Sequence, residues 1–299
     1  MEFLRRLAEI RTPAGDLFFQ LVTGLGQQTV LLIVLCILLW CVNKKLGYQM
    51  GFAFCLSGIL VYGMKITFRI SRPWILDSKF QPVDSAVPGA TGYSFPSGHT
   101  QSGTALWGSL AYSKKISCVF RLLFLVILIL VGFSRMYLGV HTPKDVLTSL
   151  LFTFLIIIIS SWILKKNSGE VAIPITLIGC GILLFFYSFF LYQSGVITHS
   201  YVAGSGKIIG LSLGFAMGAL VEHKLIKYTE KASLKEQLMK LITGFLLLFI
   251  LQAFLWTILK GTFVAIVVRN FLLMFYIVAV YPGLFTMVQG KIHNKNQEK

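Results

Sequence analysis

Long apolar runs, separated by short polar loops, dominate this chain of 299 residues. A helix needs about 20 apolar residues to cross a bilayer. Nine runs approach that length, at about 28–43, 46–65, 99–113, 118–136, 145–164, 171–192, 206–222, 239–259 and 262–284. The third and seventh runs are the least hydrophobic, which places them inside the bundle. The pattern therefore predicts an all-α, polytopic transmembrane helical bundle of about nine spans.

The basic loops orient this bundle. With nine spans, all of these loops fall on the same side of the predicted membrane. They are Lys44-Lys45, Lys114-Lys115, Lys165-Lys166, the stretch 223–240 and the tail Lys291–Lys299. Cytoplasmic loops carry an excess of Lys and Arg, so this side is predicted to be the cytoplasm. The net charge of +16 is explained in the same way, and no nucleic-acid partner is expected.

Composition and charge divide the chain into three parts. Residues 1–26 mix arginines with aromatic and aliphatic side chains, as in an amphipathic segment at the membrane interface. Residues 27–165 form a core, and residues 166–299 contribute additional transmembrane helices and a cytoplasmic tail. The five cysteines show no CxxC spacing, so neither a disulfide framework nor a metal site is indicated.

Three polar patches fall on the outer side, opposite the basic loops. They are Lys65-x6-Arg72-Pro73, Pro96-Ser97-Gly98-His99 and Ser134-Arg135-x5-His141-x3-Asp145. Charged side chains are costly in a membrane segment and are often functional there. Positive charges on the outer side also run against the loop bias, which indicates an anion to be held.

The first patch predicts a cationic helix face. Lys65, Arg69 and Arg72 are spaced by four and three residues, so they share one side of a helix. Pro73 disfavours helix at Arg72, so the second span is expected to end there. Phosphate capture is one interpretation; cations that snorkel from a helix end are the structural alternative.

The second patch predicts an anion site at a helix start. Ser97 is suited to cap the third span, and free backbone N–H groups at such a start attract anions. His99 then lies in the first turn, next to a bound phosphate. The alternative is an ordinary capped helix with an interfacial histidine.

The third patch predicts a paired histidine and carboxylate. Thr142 and Pro143 begin a helix, with His141 immediately before it and Asp145 within reach of the imidazole. A carboxylate on one ring nitrogen fixes the tautomer and leaves the other nitrogen free as a nucleophile. Arg135 adds a guanidinium fork suited to phosphate oxygens. The alternative for Asp145 is a capping role alone.

Together these patches resemble the type-2 phosphatidate phosphatase and vanadium haloperoxidase superfamily. That family's signature reads KxxxxxxRP, PSGH and SRxxxxxHxxxD, and every fixed position is present here. The resemblance covers roughly residues 60–165 and implies a six-helix-type phosphatase core. The first segment and the last four spans lie outside it.

The resemblance implies phosphoryl transfer without a metal or other cofactor, through a phosphohistidine. His141 would be the nucleophile, Asp145 its orienting carboxylate and His99 the general acid. The phosphate oxygens would be held by Lys65, Arg72, Ser97, Gly98 and Arg135.

The expected function is hydrolysis of a membrane lipid phosphate or a polyprenyl pyrophosphate at the outer face of a prokaryotic plasma membrane. A glucose-6-phosphatase-like enzyme, a haloperoxidase and a non-catalytic lipid-phosphate binding or transport protein are the alternatives. The sequence leaves the oligomeric state open.

Two features lie beyond the signature. Gly206, Gly210, Gly214 and Gly218 form a stripe that predicts close helix packing in lipid. Arg269 lies well inside the ninth span, where it is expected either to snorkel outward or to line a substrate portal. His199, in an outer loop, is a further candidate for the site.

Overall fold

A computed structural model describes residues 1–165 and 169–287 of the chain. These residues fold into helices and connecting loops, without a β-strand in the described ranges. Lys166 and the basic tail Lys291–Lys299 lie outside these ranges. The predicted all-α fold class is therefore confirmed.

Thirteen α-helices follow one another along the described chain. They are α1 (Glu2–Glu9), α2 (Pro13–Gly24), α3 (Gln28–Ile37), α4 (Lys44–Phe68), α5 (Pro73–Leu76), α6 (Gly98–Gly103), α7 (Ser109–Tyr112), α8 (Cys118–Tyr137), α9 (Pro143–Ile163), α10 (Gly169–Gln193), α11 (His199–Val221), α12 (Leu234–Ile258) and α13 (Phe263–Phe275). Single π-helical turns extend α3 over Leu38–Val42, α6 over Thr104–Gly108, α11 over Glu222–Ile226 and α13 over Tyr276–Val280.

Seven of these described helices are long and apolar enough to cross a membrane, or eight if the bent pair α2 and α3 forms one span. The predicted third span corresponds to the stretch from α6 to α7, which is short and mostly buried, as expected for a helix inside the bundle. It does not reach the length of a span. The predicted count of nine is therefore not confirmed.

The second span ends earlier than Pro73 predicts. α4 stops at Phe68, and Arg69 turns into the left-handed conformation, with a φ of 51° and its N–H donated to Lys65 O. This single bond back into the last turn is a common helix ending. Arg69 is consequently exposed, whereas Lys65 and Arg72 are buried, so the prediction of one cationic face through all three residues is wrong.

All three polar patches meet at one end of the bundle. The end of α4, the start of α6, the end of α8 and the start of α9 lie there, while Lys44, Lys114 and Lys165 lie at the opposite ends of these elements. The N-terminal helices also reach this end. Arg5 forms an ion pair of 2.6 Å with Asp77, and Arg11 donates to Tyr137 O at 2.9 Å.

The glycine stripe of α11 packs directly against α13. A Cβ atom added at Gly210 would lie 2.3 Å from Val267 O, and one added at Gly214 would lie 2.4 Å from Phe271 O. Only a residue without a side chain permits backbones to approach so closely. The predicted packing face is present.

A partly buried ion pair joins the core to the helices that follow it. Lys44 Nζ lies 2.9 Å from Glu222 Oε1, and Tyr48 Oη donates to Glu222 Oε2 at 2.7 Å. Tyr228 N donates to the same carboxylate at 2.8 Å. The Glu222 carboxylate thus links α4 to the end of α11 with its charge satisfied on both oxygens, as a buried carboxylate requires.

We expect Gly214→Ala to destabilise the bundle by about 1–3 kcal/mol, because its new methyl group would overlap the backbone of α13. Thermal unfolding in detergent measures this loss as a lower midpoint temperature. Gly179→Ala is the matched control, since no atom of the described residues lies within 4 Å of a Cβ at that exposed position of α10. Equal midpoints for the two variants would contradict the tight contact.

Candidate active site

A cavity of about 380 Å³ opens where the three polar patches meet. Five of the eight predicted site residues line it, namely Lys65, Arg72, Gly98, His99 and His141. Ser97, Arg135 and Asp145 are buried next to these residues and do not line the cavity. Tyr62, Tyr93, Tyr201 and Lys207 also line the cavity, and the predicted patches do not include them. His199 does not contribute to its wall.

His141 and Asp145 form the expected pair. His141 Nδ1 lies 3.3 Å from Asp145 Oδ2, and both side chains are buried. An ionised carboxylate can only accept a hydrogen bond, so Nδ1 carries the proton and Nε2 keeps its lone pair. Nε2 is not free, however, because Arg72 Nη1 donates to it at 2.9 Å. A guanidinium thus faces the nitrogen that the sequence predicts to be the nucleophile.

The start of α9 fixes this pair in space. Thr142 is the N-cap, Pro143 follows it, and Asp145 completes a capping box by accepting from Thr142 N at 2.9 Å. Asp145 therefore caps the helix and orients the imidazole at the same time. The sequence leaves an orienting role and a capping role as alternatives for Asp145, and the structure combines them.

The second patch is held against the third by backbone contacts. Ser97 caps α6 as predicted, and its own N–H donates to Asp145 O at 3.1 Å. Ser149, one turn further along α9, donates to Ser97 O at 2.9 Å. These contacts place His99, in the first turn of α6, on the same cavity as His141.

Lys65 and Arg72 bind the loop that precedes Ser97. Lys65 Nζ donates to Tyr93 O at 2.6 Å, while Arg72 donates to Thr91 O at 2.8 Å and to Gly92 O at 3.1 Å. Buried cations need acceptors, and these carbonyl groups provide them. The loop is thereby folded over the cavity, which it lines through Thr91, Gly92 and Tyr93.

Arg135 has donors without a partner. Its side chain is 2 % exposed, and Nη1 donates to Thr23 Oγ1 at 2.7 Å. Nε and Nη2 have no hydrogen-bond acceptor among the described residues. Unsatisfied buried donors are rare in native proteins. These two atoms are therefore candidates to bind an anion.

Ser94 is a site residue that the sequence analysis missed. Its hydroxyl donates to Asp145 Oδ2 at 2.6 Å, and its own N–H donates to Ile70 O at 2.8 Å. It contacts the same carboxylate oxygen as His141 and Thr142. An isolated serine in a loop offers no periodicity or spacing by which it could have been found.

The electrostatic environment favours a neutral His141. Burial, followed by the nearby charges of Arg72, Lys65 and Arg135, lowers the pKa of the His141 imidazole well below its usual value. A neutral imidazole with a proton on Nδ1 retains the lone pair on Nε2 that a nucleophile needs. The fold and the site thus define a helical membrane protein with a buried histidine that is surrounded by cations.

The chain belongs to the PAP2 superfamily. Residues 46–169 match the PAP2 superfamily itself, and residues 206–292 match the transmembrane extension of PAP2 superfamily phosphatases. The first match contains all three polar patches, and the second contains the glycine stripe and α13. The resemblance read from the signature is confirmed, and it extends to helices that the signature does not reach.

The individual relatives share only part of their sequence with this chain. Phosphatidylglycerophosphatase B of Bacillus subtilis (strain 168) is 32% identical over 99 residues, which are 30% of this chain and 47% of the relative. Sphingosine-1-phosphate phosphatase 1 of Mus musculus is 28% identical over 217 residues, 69% of this chain and 48% of the relative. The chain thus spans less than half the length of these curated relatives. Among solved structures, Aquifex aeolicus LpxE has a sequence 30% identical to this chain and a TM-score of 0.48. The match covers 55% of this chain and 94% of LpxE.

The unpaired donors of Arg135 lead to a binding prediction. We expect inorganic phosphate or vanadate to raise the thermal unfolding midpoint of the protein in detergent. Arg135→Gln should weaken that binding about 10–100-fold, since hydrogen bonds to a charged group contribute about 1.5–3 kcal/mol.

Arg121→Gln is the matched control, because this arginine lies near the other end of α8 and donates to Ala111 O. Arg135→Lys keeps the charge without the fork and is expected to give an intermediate affinity. An unchanged affinity in a folded Arg135→Gln protein would show that Arg135 has a structural role alone.

Proposed function

We propose that this protein is a membrane-embedded phosphatase that removes phosphate from a lipid phosphate or a polyprenyl pyrophosphate. The observation that carries the proposal is the His141 imidazole, held by Asp145 on one nitrogen and facing Arg72 with the other. His99 and Lys65 line the same cavity. The names of the relatives, which are phosphatases of phosphorylated lipids, support the substrate class.

In the proposed reaction, the phosphate group enters the cavity with its oxygens toward Arg72, Lys65 and Arg135. The backbone N–H groups at Gly98 and the hydroxyl of Ser97 supply further donors at the start of α6. Stabilisation of charge on the equatorial oxygens is the main protein contribution in phosphoryl transfer. This cluster of cations is suited to provide it without a metal ion.

The chemical steps then follow from the two histidines. The hydrogen bond of Arg72 moves from His141 Nε2 to a phosphate oxygen and frees the Nε2 lone pair. That lone pair forms a bond to phosphorus while the bond from phosphorus to the leaving oxygen breaks. His99 gives a proton to that oxygen, which leaves as an alcohol or as the shortened lipid phosphate. Water then attacks the phosphohistidine and releases inorganic phosphate, with His99 now accepting the proton of the water.

The direction of the helices supports an extracytoplasmic site. The cavity lies at the end of the bundle opposite Lys44, Lys114 and Lys165, and basic loops favour the cytoplasmic side. We therefore propose that the site faces outward, and we retain the prokaryotic plasma membrane as the expected location. The division into an interfacial segment, a phosphatase core and an extension of further helices is retained as part of this proposal.

We expect His141→Ala to lose nearly all release of inorganic phosphate from phosphatidate, and His99→Ala to lose about 10²–10⁴-fold, the usual contribution of a general acid. Radiolabelled substrate should leave phosphate on the wild-type histidine and none on His141→Ala. His199→Ala serves as the control, as this histidine starts α11 outside the cavity wall. Turnover retained in a folded His141→Ala protein would refute the nucleophile assignment.

The environment of His141 also predicts a pH profile. Because its pKa is lowered, the imidazole stays neutral and reactive as the pH falls through about 6.5. The acid limb of kcat/KM that reports this group should therefore lie below that pH. Arg72→Gln removes a positive neighbour, so it should raise the pKa and move the limb to higher pH, besides lowering the maximum. A limb that stays in place, or that moves to lower pH, would contradict the assignment.

A further inference from the structure

A second cavity, of about 740 Å³, lies between α3, α11, α12 and α13. It shares the lining residues Gln28, Gly89, His99 and Lys207 with the candidate active site. The two spaces therefore meet at the proposed general acid. Its volume falls in the range of roughly 300–1,000 Å³ that is usual for small-molecule sites. α11, α12 and α13 belong to the part of the chain beyond the phosphatase signature.

Arg269 is an unpaired cation in the wall of this second cavity. Its side chain is 7 % exposed, and its guanidinium carbon stacks 3.9 Å from the centre of the Trp256 ring. Among the described residues it makes neither an ion pair nor a hydrogen bond. The guanidinium nitrogens are accessible from the cavity rather than fully buried. A cation inside a membrane helix is costly without an acceptor, so this group indicates a ligand with oxygen atoms.

The polar groups near Arg269 have the same character. Lys207 lines both cavities and has no ion pair within the described chain. Gln252 and Asn270 also line the second cavity, whose described wall contains no carboxylate. The two amides can donate or accept, and Asn270 Nδ2 already donates to Ile266 O. The charged groups of the described wall are therefore positive, which suits acceptor oxygens and disfavours a cationic ligand.

Most of the remaining wall is apolar, and part of it lies on the outer surface of the bundle. α12 contributes Phe245, Leu248, Phe249 and Trp256. The last three lie three, four and eleven residues after Phe245, so all four share one helix face. Phe249 is 72 % exposed and Ile33, on α3, is 44 % exposed. In a membrane such surfaces face acyl chains, so the cavity opens sideways between α3 and α12.

We propose that this cavity binds the lipid body of the substrate, and that Arg269 and Lys207 bind acceptor oxygens carried next to the scissile phosphate. The proposal rests on the phosphatase function proposed above and names where the extension contributes to it. The acceptor oxygens belong either to the ester carbonyls of a glycerolipid or to a second phosphate. Arg269 is then a specificity residue and takes no part in the transfer of phosphate.

The cavity is tested by binding, which does not depend on turnover. The probe is a phosphonate analogue of phosphatidate, which cannot be hydrolysed, titrated into the full-length protein in detergent. Leu248→Trp, which fills the cavity, should weaken binding at least about tenfold. Leu247→Trp is the matched control, because this neighbour is exposed and lies outside the cavity wall. Equal affinities for the two folded variants would overturn the proposal.

Kinetics then identify the acceptor oxygens that Arg269 binds. Phosphatidate, its dialkyl ether analogue without carbonyl groups, a polyprenyl diphosphate and soluble p-nitrophenyl phosphate are compared. Arg269→Ala should lower kcat/KM about 10–100-fold for whichever lipid carries the bound oxygens and leave p-nitrophenyl phosphate unchanged. Lys260→Ala, an exposed cation between α12 and α13, is the control.

The outcomes separate the two proposals. An equal loss on every substrate, or no loss on any lipid, would overturn the role of Arg269. If the wild-type protein released no phosphate yet bound the phosphonate with the predicted sensitivity to Leu248→Trp, the cavity would stand and the phosphatase function would fall.

Discussion

The geometry of the site depends on the hydrogen bonds that the Asp145 carboxylate accepts. Its Oδ2 atom meets Ser94 Oγ, Thr142 N and His141 Nδ1 within 3.3 Å. The backbone carbonyl of Asp145 accepts a further hydrogen bond from Ser97 N. Helix capping, imidazole orientation and the placement of the α6 start are thus a single cluster of hydrogen bonds. A buried charge is tolerable there because several donors surround it.

The cations Lys65, Arg72 and Arg135, which lie around this cluster, have two different roles. Lys65 and Arg72 are buried and bind carbonyl groups of the loop that carries Thr91, Gly92 and Tyr93. Within the described part of the chain, two nitrogens of Arg135 have no such acceptor. Thus two of these cations also organise the loop, while Arg135 is suited to the anion-binding role proposed for it. Positive charge held in a buried, preorganised site acts strongly on an oxyanion, because little water screens it.

The packing of α11, α12 and α13, the helices beyond the core, forms the second cavity. The glycines of α11 bring its backbone against α13, and the Glu222 contacts tie its end to α4. α12 instead leaves much of its surface exposed to lipid. Tight packing on one side and loose packing on the other leave the space into which Arg269 and Lys207 project. The extension is therefore part of the proposed substrate site rather than an appendage.

Local patterns in the sequence were enough to predict the all-helical class, most span positions, the caps at Ser97 and Thr142, and the pairing of His141 with Asp145. Each of these depends on contacts between residues close in the chain, where spacing fixes geometry. The Ser94 hydrogen bond to Asp145, the guanidinium facing His141 Nε2 and the cavity beside Arg269 depend on residues far apart in the chain. Only the tertiary structure decides them, because side-chain partners brought together by packing leave no periodic trace in the sequence.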